Sequence, residues 1–328
     1  MICWKKLSMA VAAFAALCAL SVSAHADYPD KPIRLIIGAP PGGTSDAMAR
    51  VVQQGVEKRL GQPLVIENRP GAGGMLAFSS IVKAEPDGYT LGLSGAGAFG
   101  AILGLQKMSY DPRKDLLPVA SLATTPLMLA ATPSFKVENV GAVVAMAKGD
   151  GAKGATEKFA IAHGGTGTSM HLTAELFSQV AGITIDLVPY RGNGPLLNDL
   201  IGGHVALGIV DVPSAASAIE SGQIKMLAIA SKKRFPGQPN VPTFAEAGLP
   251  GVEGSAWLGI VAPPGTPAEI VTKLNDAFVT VLRDPEVIER FRMLNSEPLP
   301  MSPTEFSAFV NGEIDKWVKV AEKAPKRD

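Results

Sequence analysis

Apolar runs a few residues long alternate with longer amphipathic stretches through most of this chain. The runs at 33–37, 64–67, 90–93, 159–162, 186–189, 206–210 and 226–230 predict buried strands. The stretches at 46–60, 75–84, 169–180, 194–201 and 214–220 predict helices between them. Strict alternation of this kind predicts an α/β protein with parallel sheets and helices on both faces. The pattern changes near the C-terminus. A strand over 255–262 is followed by helical segments opened by Thr266-Pro267-Ala268-Glu269, Asp284-Pro285 and Ser302-Pro303-Thr304-Glu305. The first and last of these read as capping boxes with proline at the first helical position. These helices have no partner strands and are expected to pack back on the N-terminal lobe.

Two apolar stretches, 117–131 and 255–262, are candidate crossings between lobes. They divide the chain into a leader at 1–26, a first lobe of 27–123 plus 255–328, and a second lobe of 124–254. The leader reading rests on Lys5 and Lys6, an apolar stretch over 7–22, and Ala24-His25-Ala26, with cleavage after Ala26. Both cysteines, Cys3 and Cys18, fall in it, so the mature chain has no disulfide, thiol nucleophile or cysteine metal site. An exported, cysteine-free chain fits a periplasm. The 30 basic and 30 acidic residues balance, and no basic stripe argues for nucleic acid or anionic lipid. No later segment is apolar enough to span a membrane.

The candidate chemistry lies in two glycine-rich strand-to-helix turns. One is Gly38-Ala39-Pro40-Pro41-Gly42-Gly43-Thr44-Ser45-Asp46, and the other is Gly164-Gly165-Thr166-Gly167-Thr168-Ser169-Met170-His171. Glycine lets backbone approach a ligand, and a helix N-terminus presents unpaired N–H groups at the positive end of its dipole. Gly42, Gly43, Thr44 and Ser45, with Gly165, Gly167, Thr168 and Ser169, are therefore candidate donors to a carboxylate; the alternative is an ordinary capped turn in each case. Neither turn has the Walker A lysine, which argues against nucleotide phosphate. Asp46 reads as a dipole partner and His171 as a packing or capping residue.

Ser94 and Gly95 follow a strand and are assigned to the cleft lining. Gly95-Ala96-Gly97-Ala98-Phe99-Gly100 matches G-x-G-x-x-G only formally, since it does not follow the first strand, and exported proteins rarely meet NAD. Tyr190 and Arg191 stand at a strand end, where the arginine can pair a distal carboxylate or lock its loop. Asp211 can cap the next helix or accept from a ligand amine or hydroxyl. Asn68, Arg69 and residues 71–74 read as structural, and Trp257 and Trp317 as packing residues. His163, His171 and His204 form no metal triad, and no cofactor is expected.

These segments also carry a resemblance. It rests on Pro41-Gly42-Gly43-Thr44-Ser45-Asp46 with Ala49-Arg50, on Glu67-Asn68-Arg69-Pro70-Gly71-Ala72-Gly73-Gly74 and on Pro86-Asp87-Gly88-Tyr89-Thr90-Leu91, and further segments continue it in order along the chain. Those are residues 165–172, Pro189-Tyr190-Arg191-Gly192, Val241-Pro242-Thr243 with Glu246-Ala247-Gly248, and Ala262-Pro263-Pro264-Gly265-Thr266-Pro267. The chain resembles the Bug (TctC-type) family of periplasmic solute-binding proteins of tripartite tricarboxylate transporters. The resemblance implies a two-lobed, type II "Venus flytrap", a small carboxylate held partly through water, and transient membrane transporter partners. It departs from the family at Ala206, at His163-Gly164-Gly165 and at the glycine-rich Ser94-Gly95-Ala96-Gly97. A monomer is expected. Two other outputs remain open: a ligand sensor feeding a sensor kinase, and a secreted serine hydrolase using Ser94 or Ser169.

Overall fold

The computed structural model describes residues 28–104, 107–149 and 159–324; the expected leader and its cleavage site lie outside them. Lys31–Asp328 clusters as one unit. Its strands are β1 (Ile33–Ile37), β2 (Leu64–Asn68), β3 (Thr90–Gly95), β4 (Leu117–Ala131), β5 (Ala160–His163), β6 (Asp186–Pro189), β7 (Leu207–Asp211), β8 (Lys225–Ile229), β9 (Ser255–Ala262) and β10 (Glu297–Pro298). Its helices are α1 (Thr44–Leu60), α2 (Met75–Ile81), α3 (Val140–Ala147), α4 (Ser169–Ala181), α5 (Asn193–Ile201), α6 (Val212–Glu220), α7 (Ala268–Leu282), α8 (Pro285–Met293) and α9 (Pro303–Glu322).

The strands run in the order β2-β1-β3-β9-β4-β7-β5-β6, with β8 and β10 also paired to β4. β1 pairs in parallel with β2 and β3, and β5 with β6 and β7. The expectation of purely parallel sheets is corrected by the two long apolar strands: β9 is antiparallel to β3 and β4, and β4 is antiparallel to β7 and β8. β4 belongs to both halves of the sheet. Its first part pairs with β9, and its last five residues lie between β7 and β8. The period of two along that last part serves two cores. Leu127, Leu129 and Ala131 pack with Ile161, Phe177 and Phe244, while Met128 and Ala130 pack with Leu196, Val210 and Ile229.

Local signals fix the helices. α1 buries Met48, Ala49, Val52, Val56 and Leu60 on one face and ends at Gly61 in the left-handed conformation. Ser302 and Glu305 form the expected capping box on α9, and Asp284 caps α8. The other expected box is absent. Pro267 is the cap residue of α7, and the Thr266 hydroxyl donates to Pro263 O at 2.9 Å. The threonine is buried one residue too early to cap.

α9 also reaches further than expected. Its core joins Phe306, Trp317 and Val320 to Phe78, Phe99 and Trp257, but includes Leu172 of α4. Gln179 Nε2 of α4 donates to Val320 O at 2.8 Å. A helix of 20 residues spans about 30 Å, enough to touch both halves. Trp257 and Trp317 are both buried, and their indole N–H groups donate to the same Glu313 Oε2.

Candidate functional site

Both glycine-rich turns connect a strand to a helix, and they differ in how their N–H groups are satisfied. At α1 the cap residue is Gly43, which has no side chain to bond the first-turn N–H groups. Gly42, with φ of 75°, donates its N–H to Asp46 Oδ2 at 3.1 Å. Asp46 also takes Arg50 Nε at 2.9 Å and Nη2 at 3.2 Å. Burial works against the Asp46 charge, yet the Arg50, Gly42 and Asn68 hydrogen bonds outweigh it and hold the carboxyl below its ordinary range. Gly42 thus shapes the turn, while Gly43, Thr44 and Ser45 lead into an uncapped helix start.

At α4 the cap is Thr168, whose Oγ1 accepts from His171 N at 3.4 Å and donates to Gly165 O at 2.7 Å. Gly165 N–H donates to His163 Nδ1 at 3.2 Å, and Gly167 N–H to His171 Nδ1 at 3.1 Å. This turn therefore satisfies its own glycine donors. Ser169 is buried at the head of α4.

The tertiary fold brings the first turn to the end of β7. Thr44 Oγ1 donates to Asp211 Oδ1 at 3.4 Å across 167 positions of sequence. Asp211 caps α6 by accepting Ser214 N–H at 2.8 Å, and its other oxygen accepts from Asn193 Nδ2. Burial pushes the Asp211 carboxyl above its ordinary range, against the pull of the Ser214, Thr44 and Asn193 hydrogen bonds. Asn193 also donates to Ser214 Oγ at 2.9 Å, and its buried Oδ1 has no partner among the described residues. Sequence reasoning missed Asn193, which starts α5 after Gly192; its position before an expected helix start was the available signal.

A second approach lies beside the first. A Cβ on Gly97 would sit 2.7 Å from Gly167 O, and one on Gly73 would sit 3.6 Å from Thr166 O. The segment at 71–74, read as structural, thus also abuts the second turn. Asn68 Nδ2 holds the first turn through Ala39 O at 3.1 Å. Ser94 is buried between Gly38 and Gly74, its hydroxyl 1.9 Å from where a Gly74 Cβ would stand. Gly95 is half-buried against Trp257 O. Tyr190 donates to Asp199 Oδ2 at 2.6 Å, and burial together with that carboxylate pushes the phenol up to about 12. Arg191 is exposed. Among the described residues there is no group of three metal-ligating side chains, and no helix is long and apolar enough to cross a membrane.

Known proteins share this fold. The sequence profile of the tripartite tricarboxylate transporter family receptor matches residues 48–325. Protein BugT of Bordetella pertussis is 37% identical over 319 residues, covering 96% of each chain. MatC of Rhodopseudomonas palustris, solved with bound malate, superposes with a TM-score of 0.82 at 34% identity, over 90% of this chain and 100% of that one. The periplasmic binding protein BugD superposes with a TM-score of 0.81 at 31% identity, over 90% and 98% of the two chains. The fold is accordingly the two-domain α/β architecture of periplasmic binding proteins, and the chain belongs to the receptor family of the tripartite tricarboxylate transporters.

Proposed function

We propose that this receptor captures a small carboxylate between two lobes, 27–123 with 255–328 and 124–254, and presents it to membrane transport subunits. The supporting observation is the uncapped start of α1 facing Asp211 and Asn193 across the sheet. The first-turn N–H groups, with the hydroxyls of Thr44 and Ser45, suit a carboxylate at the positive end of the helix dipole. Thr168, Ser169 and the backbone of Gly165 and Gly167 close over it from the second lobe. Ligand entry exchanges the long Thr44–Asp211 hydrogen bond for bonds to the ligand. Asp211 and the Asn193 carbonyl oxygen then face a ligand hydroxyl, amine or bridging water. Ser94, Gly95, Tyr190 and Arg191 border the distal part, the arginine free to swing toward a second carboxylate.

Relatives bound to malate and to adipate make dicarboxylates the first class to test. A ligand that touches both lobes stabilises the closed state, and the membrane subunits read that state. No step needs an activated nucleophile. Export through cleavage after Ala26 and function as a monomer complete the reading. Native mass spectrometry of the mature protein, followed by thermal shift against a panel of small carboxylates, tests it. A co-purified acid, or a melting rise that follows acid concentration, is expected. No response to any carboxylate would overturn the reading, and ester turnover lost in Ser94→Ala or Ser169→Ala would replace it with a hydrolase.

A further inference from the structure

The second glycine-rich turn is held from behind by two imidazoles. His163 ends β5 and is 1% exposed; His171 stands in the first turn of α4 and is 6% exposed. Their rings stack with centroids 4.6 Å apart and planes 29° from parallel. Each Nδ1 accepts one glycine N–H of the turn, Gly165 to His163 and Gly167 to His171. Both glycines have positive φ, 134° and 80°, in regions that other residues rarely enter. Their backbone is intrinsically permissive, so the histidines supply the constraint that the chain itself lacks.

An Nδ1 that accepts an N–H carries no proton, which fixes each ring as the neutral Nε2–H tautomer. The orientation of His171 agrees: its Nε2 faces Glu175 Oε1 at 3.8 Å. We propose that His163 and His171 are the positioning residues of the ligand-holding turn, and that a proton on Nδ1 releases the turn and lowers ligand affinity. The affinity arm rests on the function proposed above. The tautomer arm does not.

A proton on Nδ1 sets one N–H against another, so the glycine peptide must rotate away. Histidine ordinarily titrates near pH ~6.5, within a physiological range. The segments packed around the pair carry few charged groups. Glu175 belongs to α4 itself. Asp211 on β7 lies two residues past Ile209, the register partner of His163. Arg191 follows Tyr190, whose N–H donates to His163 O at 2.9 Å. α9, which packs on α4 through Gln179 and Val320, carries Glu313, whose Oε2 accepts from the Trp257 and Trp317 indoles. The segment 97–102 that abuts Gly167 carries no charge.

Long-range 1H–15N spectra of the ligand-free protein, from about pH 8 to about pH 5, read the imidazole tautomers alongside the glycine amides. Nε2–H tautomers for both rings at the alkaline end are expected, with the Gly165 and Gly167 amides moving as the histidines titrate. An Nδ1–H tautomer, or a glycine amide that does not follow, overturns the assignment for that histidine. The double variant His163→Asn with His171→Asn sets a non-titrating amide oxygen close to each Nδ1 position. The wild type is expected to lose roughly tenfold in carboxylate affinity between neutral and acid pH, the worth of one to two backbone hydrogen bonds. The variant is expected to bind at neutral pH with that decline abolished. A flat wild-type profile, or an undiminished decline in the variant, overturns the affinity claim. Absence of carboxylate binding at every pH counts against the proposed function and leaves the spectra to decide the tautomers.

Discussion

Thr44 is where the N-terminal turn meets the far half of the sheet, through its hydroxyl on Asp211. Truncating it together with the Thr168 cap, as Thr44→Ala with Thr168→Ala, removes one hydroxyl from each side of the site. Affinity for a bound carboxylate is expected to weaken by about 1–3 kcal/mol by isothermal titration, and unchanged affinity would remove both hydroxyls from the site. Asp46 gives a second prediction, on stability. Its folded carboxyl is held below its ordinary range, because the hydrogen bonds outweigh burial. Its contribution is therefore complete above the unfolded carboxylate value, about 3.9, and is lost as pH falls through the lowered folded value. Asp46→Asn is expected to destabilise the fold by roughly 1–3 kcal/mol at neutral pH. That difference should shrink in denaturant melts as the pH drops toward the acid limb; a constant difference would mean that the charge is not the stabilising feature.

At the scale of elements, the caps and turns separate what neighbouring residues decide from what distant ones decide. The α9 box uses Ser302 and Glu305 alone, so the four-residue motif sufficed to read it. Ser302→Ala is expected to cost about 0.5–2 kcal/mol in chemical denaturation. The same motif at Thr266 failed because the preceding loop turns that hydroxyl onto Pro263 O, which the four letters do not encode. α3 went unread, since its apolar face follows an Asn139 cap in a stretch without clear periodicity. Gly97 tests the meeting of two elements. Its φ is not positive, so an alanine there strains the approach to Gly167 O rather than its own backbone. Gly97→Ala is expected to lower the melting temperature of the ligand-free protein, because backbone must shift to admit its Cβ. It should also reduce carboxylate affinity at least roughly tenfold by holding the segment at Gly97 away from the second turn. Wild-type affinity in this variant would show that the approach is not needed for binding.

For the whole molecule, β4 is continuous through both halves of the sheet, and α9 packs across them through Gln179 and Val320. The closure proposed above would then be a rotation about β4 and β9 with the α9 contact adjusting, not a separation of independent bodies. Small-angle scattering is expected to show a smaller radius of gyration at saturating ligand. An identical radius would argue that the ligand enters a cleft already closed.

By itself the sequence determined the alternation of elements, nearly every strand and helix position, and the two glycine-rich turns. Periodicity, proline and glycine act over a few residues, so their physics is complete within a short window. Tertiary structure decided the rest. It made the sheet mixed by running β4 and β9 against their neighbours. It brought Thr44, Asn193 and Asp211 together, whereas the Gly42, Gly165 and Gly167 N–H groups found their partners, Asp46, His163 and His171, within four residues. A backbone donor's partner depends on which groups lie within about 3 Å of it in space. For a cleft built from residues far apart in sequence, that distance is set by the packing of the sheet, not by the motif that supplies the donor.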